Sequence, residues 1–136
     1  MDQQSQINVL AEARSYIGVK WRHRGRSRFG IDCLGLVVKA LEAGGVAMRD
    51  RLDYSRTPHL DGLEREMVEH FGAAVDDMQP CDVVLMAWEG GEPSHVGLIA
   101  DGPDSLHLIH SYSEISVTEH CIDDAWMRRI VRVYRP

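Results

Sequence analysis

The character of the chain switches near Asp76, and that switch limits the folds open to it. Before it, apolar residues recur at helical intervals; after it, they gather in short runs cut by Gly, Pro and Asp. Residues 4–17 read as a helix with Ile7, Leu10, Ala11, Arg14 and Ile17 on one stripe and Gly18 as its stop. A second helix begins after Asp32, a good N-cap, and carries Leu34, Val37, Val38 and Leu41 until Gly44 and Gly45 end it. Thr57 and Pro58 resemble a cap and first-turn proline for a third helix, with Leu60, Leu63, Met67 and Phe71 inward and Glu64, Arg65, Glu66 and Glu69 outward. Strands are expected at 83–87, 95–100, 106–111, 115–119 and 130–134, with a helical turn at 123–127. Helices followed by strands joined through tight turns predict an α+β domain, N-terminal helices packed on an antiparallel sheet of about five strands. A length of 136 residues suits one such domain, 1–136, with a sizeable core.

Asp32 also places a thiol. Cys33 falls on the first helical position, where the positive end of the helix favours thiolate and backbone N–H groups face whatever the sulfur attacks. Gly35 removes a side chain one turn on and lets a backbone or a substrate approach. A buried structural cysteine is the competing reading. Cys81 and Cys121 are expected to be reduced and structural, because three cysteines without CxxC spacing indicate no disulfide framework or zinc knuckle.

Among seven histidines, His95 opens an apolar strand with Gly97 two residues on, leaving room for a helix to pack closely. His110 is in phase with Leu106 and Leu108, and His107 points the other way. If the two strands are neighbours, His95 and His110 lie side by side and the Cys33 helix can cover them. His23, His59, His70 and His120 read as surface residues of loops or polar helix faces. Cysteine, imidazole and a third polar group that orients the imidazole form a nucleophilic constellation. One Cys with two His could instead bind zinc, although the spacing is wide and no acidic ligand is paired with them.

The net charge of −6 does not point to nucleic acid. Arg14, Lys20, Arg22, Arg24, Arg26 and Arg28 nonetheless form a basic run before Cys33, either a solvated loop or a rim that draws carboxylates or phosphates toward the thiol. No apolar run approaches the ~20 residues of a membrane span. Residues 1–6 carry no signal-peptide pattern.

Asp32-Cys33-Leu34-Gly35-Leu36, His95-Val96-Gly97-Leu98-Ile99 and Ile109-His110-Ser111, in that order, resemble the NlpC/P60 cysteine peptidases, and more narrowly their short phage-associated, tail-tip branch. Residues 16–23 sit where that family has a helix end and a Pro-Tyr loop, residues 79–83 resemble its Pro-Gly-Asp strand start, and residues 126–130 resemble the phage branch's terminal Trp-Arg segment. The resemblance implies a papain-like fold and cleavage of bacterial peptidoglycan stem peptides, typically between D-glutamate and diaminopimelate, without a cofactor. It assigns Cys33 as nucleophile, His95 as base and His110 as orienting residue, with Trp21, Asp32 and His23 binding substrate. Leu34 replaces the common Ser, as in the phage branch. Trp21 replaces a Tyr, so a hydroxyl acceptor is lost while an indole donor remains. Cys81 stands at a family glycine, an exchange expected to be neutral.

The partners implied are peptidoglycan peptides and phage tail proteins. The protein is then expected to be made in the cytoplasm and to act at the cell wall within a phage particle or after export by other means. Two alternatives stand beside the peptidase. One is a non-catalytic tail or envelope module of the same fold. The other is thiol acyl transfer, disfavoured because the permuted lipid acyltransferases place His before Cys.

Overall fold

The computed structural model describes residues 1–56 and 62–136. The expected cap at Thr57 and Pro58, together with His59 and Leu60, lies outside the described residues. Helix α1 (Gln3–Ser15) is capped by Asp2, whose side chain accepts from the Ser5 amide. A short hairpin, β1 (Arg26–Ser27) and β2 (Gly30–Ile31), leads into α2 (Cys33–Ala43). Helix α3 (Leu63–Phe71) precedes strands β3 (Val83–Met86), β4 (His95–Asp101), β5 (Leu106–Ser111) and β6 (Val117–Cys121). A short helix α4 (Asp124–Arg129) and strand β7 (Ile130–Tyr134) follow. The five strands β3–β7 form one antiparallel sheet in the order β6-β5-β4-β3-β7. The architecture is α+β, as expected, with a papain-like arrangement of helices first and sheet second.

Both faces of the sheet are covered. On one, Val83, Leu85, Val96, Leu98, Ala100 and Ile109 pack with α1 and α2. On the other, Val84, Met86, Ile99, Leu108 and Val133 pack with Trp88, Trp126 and Ile130. Strand alternation therefore turns His95, Gly97 and His110 away from the body of α2. A Cβ on Gly97 would lie 2.8 Å from Leu108 Cδ1 and 3.1 Å from His110 Cβ. The space that Gly97 leaves is thus taken by the neighbouring strand rather than by a helix. Covering of the histidines falls to α4.

Two helical faces differ from the periodicity reading. In α1 the buried residues are Val9, Leu10 and Ala13, whereas Ile7, Ala11 and Ile17 are exposed. Contact with α2 sets that rotation, because Val9 packs so tightly on Gly44 that a Cβ there would lie 2.4 Å from Val9 Cγ2. In α3, Glu66 is buried rather than outward, and its carboxylate lies 3.3 Å from Arg51 Nη1. An ion partner in the preceding loop reverses the preference of a carboxylate for water. Cys81 adopts φ 75°, the left-handed region that glycine tolerates, while its side chain is buried. Its exchange from glycine is therefore not neutral for the backbone, where a Cβ costs about 1–2 kcal/mol.

Gly35 admits a backbone. A Cβ at this position would sit 2.4 Å from the Gly25 carbonyl oxygen and 2.9 Å from Arg26 Nη1. Gly35→Ala is expected to destabilise the fold by about 1–3 kcal/mol through overpacking, outweighing the ~1 kcal/mol that Ala gains over Gly inside a helix. Urea unfolding measures the difference, and equal or greater stability of the variant would contradict the close approach.

Candidate active site

Asp32 builds the site from below. Its Oδ1 caps α2 by accepting from the Gly35 amide at 2.8 Å, and also accepts from Arg26 Nη1 at 2.9 Å. Its Oδ2 accepts from the Arg24 amide at 2.8 Å and from the Tyr54 hydroxyl. Arg24 sits at φ 62°, and the bond to Asp32 holds that turn. Arg26 donates onward to the Tyr54 hydroxyl at 2.9 Å and to both Asp50 oxygens at 3.1 Å. Burial works against its charge, yet Asp32, Tyr54 and Asp50 together raise the Arg26 pKa. Burial, followed by the charge of Asp32, pushes the Tyr54 hydroxyl well above its ordinary range. Asp32, which the family resemblance places at the substrate, is thus occupied by four protein donors.

The basic run is largely engaged inside the fold. Arg28 pairs with Glu12 at 3.1 Å and lies 3.6 Å from the Tyr16 ring centroid, and Arg14 pairs with Glu119 at 2.9 Å. Arg24 donates to the Tyr54 carbonyl at 2.8 Å. These arginines fasten loop to helix and sheet, which removes most of the expected cationic rim.

A cleft of about 70 Å³ opens at the start of α2. Cys33 and His95 both line it, with Trp21, His23, Tyr54 and Arg56 among its walls. Trp21 is carried there by a loop held to the turn between β5 and β6, its amide donating to the Ile115 carbonyl at 3.2 Å. The Arg56 guanidinium stands 5.4 Å from the Trp21 ring, and His23 meets the Tyr54 ring edge-on at 5.5 Å. Burial, then the nearby charges of Arg24 and Arg56, lowers the His23 pKa. The six residues named from sequence divide accordingly. Trp21, His23, Asp32, Cys33 and His95 line the cleft, whereas His110 lies behind His95 with no exposed surface.

His95 Nε2 and His110 Nδ1 are 2.7 Å apart. The strand register continues from Leu98 opposite Ile109, so Gly97 faces His110 and the two histidines form a diagonal pair on one face. Burial depresses the His95 pKa to about 4. Burial, reinforced by His95, His120 and the charge of Arg129, takes His110 to about 2. Both rings are neutral at physiological pH.

Cys33 departs from expectation. Burial, then the Asp32 charge, pushes its thiol up to about 12, against the backbone amides of Val96 and Leu34 and the charge of Arg26, which act in the opposite direction. The Val96 amide of β4 and the Leu34 amide at the helix start do favour the thiolate, but burial and the neighbouring carboxylate outweigh them. At rest the pair is a neutral thiol beside a neutral imidazole, not a preformed thiolate.

Sequence reasoning missed two residues. Tyr54 lies in a segment without periodicity, and only the tertiary contact with Asp32 reveals it. His120 lies on β6, one residue beyond the expected end of that strand, and its Nε2 is 2.9 Å from His110 Nε2. His107, as its phase predicts, turns to the opposite face and meets Glu119 at 2.9 Å. Cys121 is exposed rather than structural, while Cys81 is buried with Sγ 3.5 Å from the Gln6 carbonyl. Among the described residues, no three His, Cys, Asp or Glu side chains converge as a metal ion requires. No helix among them is long and apolar enough to cross a membrane.

The sequence profile of the NlpC/P60 family matches residues 18–135. The chain belongs to the NlpC/P60 family. The chain is 27% identical over 103 residues to the gamma-D-glutamyl-L-lysine dipeptidyl-peptidase of Bacillus subtilis strain 168, a match spanning 74% of this chain and 31% of that protein. Two solved NlpC/P60 structures share its fold. The NlpC/P60 domain of the peptidoglycan hydrolase SagA superposes with a TM-score of 0.62 at 21% identity, covering 96% of this chain and 98% of that one. RipD of Mycobacterium tuberculosis, described as a non-catalytic NlpC/P60 domain protein adapted to peptidoglycan binding, superposes with a TM-score of 0.63 at 17% identity, covering 98% of each chain.

Two outcomes follow from this NlpC/P60 site. Asp32→Ala should lower stability by about 1–3 kcal/mol, the scale for leaving buried donors without their acceptor, since Arg26 keeps Asp50 as its ion partner; urea unfolding with no measurable loss would mean that the Gly35 and Arg24 amides and Tyr54 find another acceptor. Because ionisation of Cys33 lies near the alkaline end, its alkylation by iodoacetamide should be slow at pH 7 and rise steeply toward pH 10, with exposed Cys121 modified first. Peptide mapping of the labelled protein reads the order, and a pH-independent, fastest-reacting Cys33 would indicate a preformed thiolate.

Proposed function

We propose that this NlpC/P60 domain hydrolyses a peptide bond in bacterial peptidoglycan stem peptides, with Cys33 as nucleophile, His95 as general base and His110 as the orienting group. The observation that carries the reading is the cleft itself: Cys33 at the start of α2 shares it with His95, which is tied from behind to His110 at 2.7 Å. As Sγ bonds to the substrate carbonyl carbon, His95 takes the thiol proton through the nitrogen not engaged by His110. The oxyanion forms beside the sulfur, where the Leu34 amide opens the helix. Collapse of the tetrahedral adduct breaks the C–N bond, and the leaving amine takes the proton from His95. Water, deprotonated by the same ring, then cleaves the thioester, releasing the carboxylate and restoring the thiol. The depressed basicity of His95 and the raised thiol pKa keep the resting pair neutral, so charge develops only during attack.

The bond favoured is of the D-glutamyl–diaminopimelate type. Support comes from the family resemblance of the motifs and from the likeness to a gamma-D-glutamyl-L-lysine dipeptidyl-peptidase over its matching 31%. Action within a phage tail is part of the same proposal and rests on the likeness of residues 126–130 to the phage branch. A second reading, a wall-binding module without turnover, is favoured by the fold likeness to RipD and by the neutral resting state of Cys33.

Incubation with defined stem peptides and mass spectrometry of the products separates the two. Cys33→Ala should abolish cleavage, His95→Ala should cost about 10²–10⁴-fold in kcat, His110→Ala less, and His107→Ala nothing. Binding of the peptides without any cleavage by the native protein would establish the module instead.

A further inference from the structure

The three histidines continue beyond the constellation just described. His95 Nε2 meets His110 Nδ1 at 2.7 Å, His110 Nε2 meets His120 Nε2 at 2.9 Å, and His120 Nδ1 meets the Cys121 carbonyl oxygen at 2.9 Å. A neutral imidazole has one N–H and one lone pair, so each contact constrains the next. The carbonyl only accepts; hence His120 Nδ1 carries the hydrogen and its Nε2 accepts. His110 must then donate from Nε2 and accept at Nδ1. His95 in turn donates from Nε2, which leaves the lone pair of Nδ1 as the one available to the cleft.

We propose that His120 is a positioning residue that sets, through His110, the tautomer in which His95 can take the proton of Cys33. The inference rests on the reading of Cys33 and His95 as nucleophile and base. If a donor faced His110 Nε2 instead, every proton in the chain would move by one place. His110 would donate from Nδ1, His95 would accept at Nε2, and an N–H would face the thiol. No base would then be present. The polarity of one acceptor on β6 therefore decides the competence of a ring on β4.

The surroundings keep the relay from being short-circuited. His110 has no exposed surface, so water does not compete for its Nε2 hydrogen. Trp126 on α4 packs at 4.9 Å from His110 and 4.8 Å from His120, centroid to centroid, and Tyr112 lies 5.5 Å from His110. The Arg129 guanidinium, 4.4 Å from the Trp126 ring, is the charged group over this face, and it disfavours a second positive charge below. His107 and Glu119 lie on the opposite face of the same strands.

Histidine ring nitrogens labelled with nitrogen-15 report tautomers directly by long-range proton–nitrogen correlation, without any substrate. In the native protein at pH 7.5, His95 and His110 should appear as Nε2–H forms and His120 as the Nδ1–H form. His120→Gln, which can present an amide oxygen to His110, should retain these forms. His120→Leu should mix the tautomers of His110 and His95. In a Cys121→Ser background, alkylation of Cys33 by iodoacetamide should slow by about tenfold in the Leu variant, part of the 10²–10⁴ that a positioned base contributes, and stay within about threefold in the Gln variant. An Nδ1–H form of His110 in the native protein overturns the inference, as do unchanged tautomers and alkylation rates in the Leu variant, even with a lowered Tm. Failure of the native protein to cleave stem peptides would remove the peptidase reading alone, because neither readout requires peptide.

Discussion

The Asp32 carboxylate is the contact on which the rest of the site depends. One buried charge caps the helix that carries Cys33, holds the strained turn at Arg24, and pairs with an arginine that reaches on to Asp50 and Tyr54. An unpaired carboxylate would be costly to bury, and four donors, the Arg26 guanidinium among them, supply the compensation. The arrangement also needs Gly35, since only a residue without Cβ lets the Gly25 carbonyl pass within reach of the helix. The same charge raises the pKa of the adjacent thiol, second to burial. The anchor that positions Cys33 thus also opposes its ionisation. Local geometry and local electrostatics pull in opposite directions at this helix start.

That opposition explains the character of the other half of the site. With the thiol held neutral, the role proposed for the histidine beside it is that of a base rather than a counter-ion, and for that role the tautomer of its ring matters. The sheet face bearing His95 and His110 lies away from α1 and α2, beneath Trp126 and Trp88 of the later chain. The Trp-Arg segment near the end of the sequence therefore acts as a dry roof on the histidines, with Arg129 stacked above. Burial disfavours imidazolium in His95 and His110 and shields the hydrogen bond between them from water.

Membership of the NlpC/P60 family and a shared fold are consistent with more than one outcome at such a cleft. SagA and RipD superpose on this chain about equally well, although one is named a hydrolase and the other non-catalytic. The fold does not discriminate between them. What would separate them in this chain is the state of particular atoms: the thiol at a helix start, the tautomer proposed for the ring beside it, and the row of histidine contacts behind that ring.

The sequence by itself determined the order of elements, the N-cap at Asp32, the thiol one residue later, and the phase by which His95 and His110 share a face while His107 does not. These are properties of neighbouring residues, set by helical and strand periods and by capping chemistry. Only the tertiary structure decided which face of α1 is buried, that Glu66 turns inward to Arg51, that Arg14, Arg26 and Arg28 pair with carboxylates of the fold, that Tyr54 meets Asp32 and that His120 meets His110. Each depends on a partner distant in sequence: Gly44 against Val9, Asp32 against Tyr54, His110 against His120 across two strands. The ionisation of Cys33 is of the same kind. A helix start predicts a stabilised thiolate, but burial and a neighbouring charge are three-dimensional quantities, and at this position they are the larger effect.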